Sequence, residues 1–223
     1  QAFRINLQNP SRTLLGAKQE RWLSDSVAQS TSRGATWQVL GQQVLMGNVG
    51  IPTISESALA ESGMSEQRKK YAAFMQALGT QGLPLNLDAW DGYPACRERI
   101  AQMLADTKAN TVALAGDTHN AWAFDLSDSK QRPIGVEVGT PGISSPGMEN
   151  YLPVPAEELA QALKDASPGL VDVDTSRRGW SEITLTPQDM RNQWHFVSTV
   201  LDRRFDVQSS PEMVCLVGER RFS

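Results

Sequence analysis

The chain has 223 residues, 40% of them hydrophobic, which is enough for one large domain or two small ones with a real core and argues against disorder. A net charge of −4 and a pI near 5.3 provide no basic stripe to neutralise phosphates along a nucleic acid. No apolar run approaches the ~18 residues of a membrane span, whereas a small anionic substrate stays compatible with this charge if a metal supplies the positive counterpart.

The sequence opens QAFRINLQNPSRTLLG, without an initiator Met or a signal-peptide pattern. It therefore reads as a processed precursor or as a piece of a larger protein. Leu15, Trp22, Leu23 and Val27 fall at helical spacing and predict a helix over residues 17–29. In ATWQVLGQQVLMG, the residues Trp37, Val39, Leu40, Val44, Leu45 and Met46 predict a buried strand leading to a loop. Residues 51–82 are rich in Ser, Ala, Glu and Gln. There Lys69, Lys70, Tyr71, Phe74, Met75 and Leu78 predict one amphipathic helix, read as an insertion or lid over a sheet edge. The turn-rich DAWDGYP then precedes a helix that Pro94 can start at its first turn, with Ile100, Met103 and Leu104 inward.

Residues 111–123 read TVALAGDTHNAWA, an apolar, β-branched run that stops at Gly116 and then presents Asp117 and His119. A buried strand followed by G-D-x-H delivers a carboxylate and an imidazole to a loop at a strand's carboxyl end, where ligands bind in open α/β sheets. Asp oxygen suits a hard cation and imidazole nitrogen suits iron or zinc. Two ligands are too few for any metal, so others must come from elsewhere. The alternative assigns Asp117 to a turn cap and His119 to a hydrogen-bonded strand exit.

Beyond the loop, AWAFDL and IGVEVGTPG alternate as strands, and residues 139–147 form a Gly, Pro and Ser loop able to reach the same edge. A short helix is predicted over 153–163. LVDVD, GWSEITLTP and residues 193–201 then predict a mainly antiparallel β segment. The order helix, strand, functional loop specifies an α/β layer.

Other chemistry-bearing residues read as structural. His195 lies in an alternating WHF strand, and Arg97 and Arg99 fall on a solvated helix face. Cys96, on a helix, need not meet Cys215, on a strand. GTPGISSPG lacks the G-x-S-x-G elbow of a Ser-dependent esterase.

Four segments in order, RTLLGAKQERWL, TWQVLGQQVLM, NLDAWDGYPACRERI and ALAGDTHNAWAFDL, resemble the carboxyl-terminal half of the PhoD-like alkaline phosphatases. GWSEITLTPQDMRNQWHFVSTV resembles that family's closing β segment. The resemblance implies half of an α/β sandwich of the calcineurin-like metallophosphoesterase type. Residues 1–150 would be the carboxyl-terminal part of that domain, carrying the helical insertion around 51–82, and residues 151–223 a closing helix with antiparallel β segment. It implies hydrolysis of phosphate monoesters and diesters with iron and calcium, or other divalent metals, at the site. Asp117 would face the divalent ion and His119 the iron side.

The family's remaining ligands lie upstream, outside this sequence. The missing amino-terminal half is thus the expected partner, and the chain alone is expected to be inactive. Trp90, Asp91 and Tyr93, in a polar turn flanking the same sheet edge, are candidate substrate-pocket residues; the alternative is that Trp90 and Tyr93 pack the loop against its helix. The same likeness implies export by a twin-arginine signal and a periplasmic or extracellular location. A rival reading is a non-catalytic binding or structural module in which Asp117 and His119 survive as structural groups.

Overall fold

The computed structural model describes residues 2–223. Helices α1 (Ala2–Leu7) and α2 (Ala17–Ser32) lead into strand β1 (Gln38–Gly41), and helices α3 (Glu56–Glu61), α4 (Glu66–Gly79) and α5 (Pro94–Thr107) follow. Strands β2 (Thr111–Ala115), β3 (Ala121–Ser127) and β4 (Pro133–Gly139) come next, then helix α6 (Ala156–Ala166) and strand β5 (Leu170–Asp174). The chain ends in β6 (Arg178–Leu185), β7 (Asp189–Val197), β8 (Val207–Ser209) and β9 (Met213–Leu216).

The first five strands form one sheet in the order β1-β2-β4-β3-β5, with β1, β2 and β4 parallel and β3 antiparallel to both its neighbours. The second sheet is antiparallel, with β6 on one side of β7 and both β8 and β9 on the other. This is the α/β arrangement with a closing antiparallel β segment that the pattern predicts.

Alternation along the strands explains the layering. On one face of the first sheet, Ala113, Trp122 and Phe124 pack with Val27, Ile100, Leu104, Leu159 and Leu163 from α2, α5 and α6. On the other, Val112, Val136 and Val138 meet Met190 and Cys215, and Ala121 and Ala123 meet Trp194 and Phe196, from the second sheet. Strands covered on both faces read as continuous apolar runs, which is why TVALA shows no polar face. Complete burial of a side chain such as Leu104 contributes about 1.5–3 kcal/mol relative to exposure.

Several boundaries depart from the sequence expectation. Strand β1 ends at Gly41; Gln42 N–H still reaches the Leu114 carbonyl of β2, and in the loop that follows the N–H groups of Met46, Gly47 and Val49 bond to buried side chains. The single helix expected within 51–82 is two. Ser55 and Ser65 cap α3 and α4, their hydroxyls accepting from the N–H groups of Ala58 and Arg68, and Gly63 takes a left-handed φ of 69° between them. Helix α6 starts three residues later than predicted, because Pro153 and Pro155 disfavour helical backbone before them.

Helix α2 runs to Ser32, three residues further than expected. Pro94 opens α5 as expected, and Lys108 closes it in the left-handed conformation. Cys96 and Cys215 are both free and buried. Among the described residues, no helix is long and apolar enough to cross a membrane.

Candidate metal-ligand edge

Because β1, β2 and β4 run parallel, their three following loops emerge at one sheet edge. Hydrogen bonds tie these loops together. Gly116 N–H donates to the Gln43 carbonyl at 2.9 Å, Thr140 N–H to Ala115 at 2.9 Å, and Gly142 N–H to the His119 carbonyl at 3.0 Å. The Gly, Pro and Ser loop therefore does reach back to the strand end that carries Asp117 and His119.

Asp117 and His119 both have left-handed backbone, with φ of 66° and 62°. Asp and His are among the few non-glycine types that tolerate this region, and such conformations cluster at functional sites. Thr118 between them accepts a 2.7 Å hydrogen bond from Trp122 Nε1, which anchors the bend to the core. Asn120, at its end, is fully buried, and its Oδ1 accepts from Met148 N–H at 3.0 Å. Both candidate ligands are exposed.

His119 Nδ1 lies 2.9 Å from the Pro146 carbonyl oxygen, which can only accept, so Nδ1 carries the proton. The Nε2 lone pair is then available in neutral imidazole, the arrangement by which a backbone carbonyl orients a metal-ligating histidine. The loop supplying that carbonyl is fixed in turn, for Arg178, 8% exposed, pairs with Glu149, and Gly179 N–H donates to the Gly142 carbonyl at 3.1 Å. Donor chemistry at Asp117 and His119, with the orientation of the His119 ring, therefore fits a metal. Among the described residues, however, no group of three His, Cys, Asp or Glu stands close enough to hold one.

A cleft of ≈ 220 Å³ adjoins Asp117, lined by Val44, Leu45 and Gly47 together with Thr118 and Met148. The loop 42–49 that lines it is held by buried polar groups. Trp90 Nε1 donates to Gln42 Oε1 at 2.6 Å, and Asp91 Oδ2 accepts from Val49 N–H at 2.9 Å. Trp90 and Asp91 are 4% and 6% exposed, and Tyr93 lies beneath the Arg12 guanidinium at 4.9 Å. Burial leaves little of Trp90 or Asp91 on the surface, and neither lines the cleft beside Asp117, while Asp91 borders a second cleft together with Asn48, Pro94 and Arg97.

Arg97 departs from the solvated face expected of it, being half-buried, whereas Arg99 is exposed as expected. Arg97 Nη1 pairs with the buried Asp91 at 2.6 Å, and Arg99 with Glu20 of α2 at 2.7 Å. Burial raises the Asp91 carboxyl, and the Arg97 charge and the Val49 and Arg97 hydrogen bonds oppose the rise. His195, on the outer face of the second sheet, bridges Ser209 and Glu182 at 2.8 and 3.1 Å, away from the Asp117 edge.

Sequence reasoning missed Glu137, Gln42, Asn120 and the Arg178–Glu149 pair. Their roles depend on partners far along the chain; a polar residue inside the apolar run IGVEV was the one visible signal.

Comparison with known proteins accords with this architecture. The chain is 32% identical to alkaline phosphatase D of Bacillus subtilis (strain 168) over 146 residues, which is 63% of this chain and 20% of that protein. A solved chain described as "Structure of PhoD" superposes with a TM-score of 0.69 at 22% identity, covering 98% of this chain and 36% of the other, and so shares its fold. The present sequence thus spans well under half the length of these relatives. Residues 1–194 match the model of the PhoD-like phosphatases, and the chain belongs to that family.

Proposed function

We propose that this chain is the carboxyl-terminal part of a metal-dependent phosphoesterase and that Asp117 and His119 are two of its metal ligands. The carrying observation is the His119 Nδ1 contact with the Pro146 carbonyl, which leaves Nε2 free beside an exposed carboxylate on the same strand-end bend. Membership of the PhoD-like phosphatases supports the phosphoester chemistry.

In this reading the donors match a mixed site, with carboxylate oxygen for calcium and imidazole for iron. Bound ions would supply positive charge against the charge developing on the phosphoryl group and would acidify a nearby water. Asp117 and His119 hold and orient; they do not touch the ester. The cleft between loop 42–49 and the Asp117 bend admits the ester, and Trp90 and Asp91 act on it through that loop.

The upstream part of the protein completes the ligand set, so the present chain by itself is inactive. Export to the periplasm or outside the cell belongs to the same proposal.

The test uses the full-length protein. Iron and calcium are measured by elemental analysis, and hydrolysis of p-nitrophenyl phosphate and bis(p-nitrophenyl) phosphate is followed for the parent, Asp117→Ala and His119→Ala. The expected result is stoichiometric metal in the parent, with metal and turnover lost by orders of magnitude in both variants while the circular dichroism spectrum is kept. Near-normal turnover in a metal-loaded His119→Ala protein overturns the ligand assignment, and a metal-free, inactive parent favours the non-catalytic module.

A further inference from the structure

Glu137 sits in the middle of β4 with no solvent exposure. A carboxylate in such a place is unfavourable unless its oxygens are fully hydrogen-bonded. Here Oε1 accepts from Met46 N–H at 2.7 Å and from Gln42 Nε2 at 3.2 Å, and Oε2 accepts from Gly47 N–H at 2.7 Å. All three donors belong to loop 42–49, the wall of the cleft beside Asp117.

The other surroundings of Glu137 are largely apolar. Ala113 of β2 and Phe124 of β3 are its cross-strand neighbours. The charged groups facing it are Arg97 of α5 and Asp91 of the 3-10 turn before that helix, paired with each other. An ionised carboxylate satisfies every donor, whereas a protonated one sets an O–H against one of them.

Burial pushes the carboxyl up to about 7, against the pull of the Met46 and Gly47 N–H groups and Arg97, with Asp91 adding to the rise. The unfolded chain releases this proton near 4.5 and the folded chain near 7. The protonated form therefore favours folding, and the stability from this group declines as pH rises through that interval. Above neutrality the charge is kept at a cost in stability, and what it gains is a fixed loop.

We propose that Glu137 is a positioning residue for the cleft beside Asp117: its ionised carboxylate fixes loop 42–49 as the cleft wall, and protonation releases that wall. The kinetic consequence rests on the phosphoesterase reading; the structural one does not.

Two readouts on the full-length protein separate them. Hydrogen–deuterium exchange of the peptide carrying residues 42–49, corrected for the intrinsic pH dependence of exchange, is followed across the range from about pH 5.5 to about pH 8.5. Protection in the parent is expected to fall about tenfold toward acid as charge-assisted bonds are lost, and Glu137→Gln is expected to show the acid level at every pH. For hydrolysis of p-nitrophenyl phosphate, the parent is expected to show an acid limb near neutrality, carried by KM and absent from Glu137→Gln.

Protection independent of pH in the parent overturns the proposal, as does an unaltered pH profile in an active Glu137→Gln protein. If that variant does not fold, the parent's exchange series decides alone. Exchange that responds to pH in a protein inactive on phosphoesters defeats the phosphoesterase reading and leaves the role of Glu137 in the loop standing.

Discussion

The Nδ1 of His119 and the carbonyl oxygen of Pro146 face each other at 2.9 Å across two loops that leave different strands. Orientation of the imidazole thus depends on the backbone of residues 140–147, and a substitution that leaves both Asp117 and His119 untouched can misplace them.

Gly147→Ala is such a substitution. A Cβ there meets the Asn120 side chain at 2.4 Å, and Asn120 is fully buried with its Oδ1 bound to Met148 N–H. Overpacking of this kind costs about 1–3 kcal/mol. Displacement of the adjacent Pro146 carbonyl removes the partner that fixes the imidazole. We expect a lowered melting temperature together with weaker metal retention in the full-length protein; unchanged metal content would detach His119 orientation from this loop.

Leu104→Ala tests the helix-side core. Leu104 is completely buried, on α5, in the cluster that also holds Val27, Ala113 and Phe124. Loss of its branched end leaves a cavity, and the expected destabilisation is about 2–5 kcal/mol by denaturant titration. A cost below ~1 kcal/mol would show that α5 is not packed as described.

The two cysteines give a chemical check on the same packing. Cys96 is completely buried and donates from Sγ to Glu20 Oε1 at 3.2 Å, and burial pushes the Cys215 thiol up. Thiolate character and access both govern reactivity, so neither cysteine should react with an aromatic disulfide reagent until the protein is unfolded. Fast labelling of one thiol in the native protein would contradict the burial of its element.

The strand-end position of the candidate ligands was legible because the strand and its break are local, whereas the Pro146 carbonyl that orients His119 comes from another loop and was not. TVALA is apolar throughout, Gly116 punctuates it, and Asp117 and His119 follow within three residues. Pro94 was legible as a helix start for the same reason. The cleft wall was not legible. Met46 and Gly47 bond to a carboxylate 91 and 90 residues away, so the apolar character of QVLGQQVLMG read as strand although the backbone leaves the sheet after Gln42 N–H bonds the Leu114 carbonyl. IGVEVGTPG read as an alternating strand, whereas a sheet covered on both faces has no outward side at its centre, where Glu137 sits. Likewise, Arg97 looks solvated by helical spacing and is half-buried against Asp91 in the fold, while Arg99 is exposed as its spacing predicts and only its pairing with Glu20 was invisible in the sequence.

That contact between α2 and α5 yields the pH prediction. Glu20 takes two hydrogen bonds from Arg99, at 2.7 and 2.9 Å, and one from Thr13 at 2.6 Å. The Arg99 guanidinium is the main reason its carboxyl falls to about 2 from the usual 4.5, with desolvation opposing and Thr13 and Cys96 assisting. A carboxyl depressed in this way stabilises the fold above about 4.5 and loses that contribution as pH falls toward about 2. Because Arg99 is 41% exposed, solvent screening limits the pair to about 1 kcal/mol. Glu20→Gln should therefore lower the melting temperature slightly at neutral pH and flatten its decline between about pH 4.5 and about pH 2. Glu137 has the opposite sign, its contribution declining from about 4.5 to about 7. Melting curves of Glu20→Gln and the parent across both intervals separate the two groups: the offset between the two proteins should be constant above about pH 4.5 and close toward about pH 2, and an offset that persists unchanged to about pH 2 would show that Glu20 is not the carboxylate holding α2 to α5.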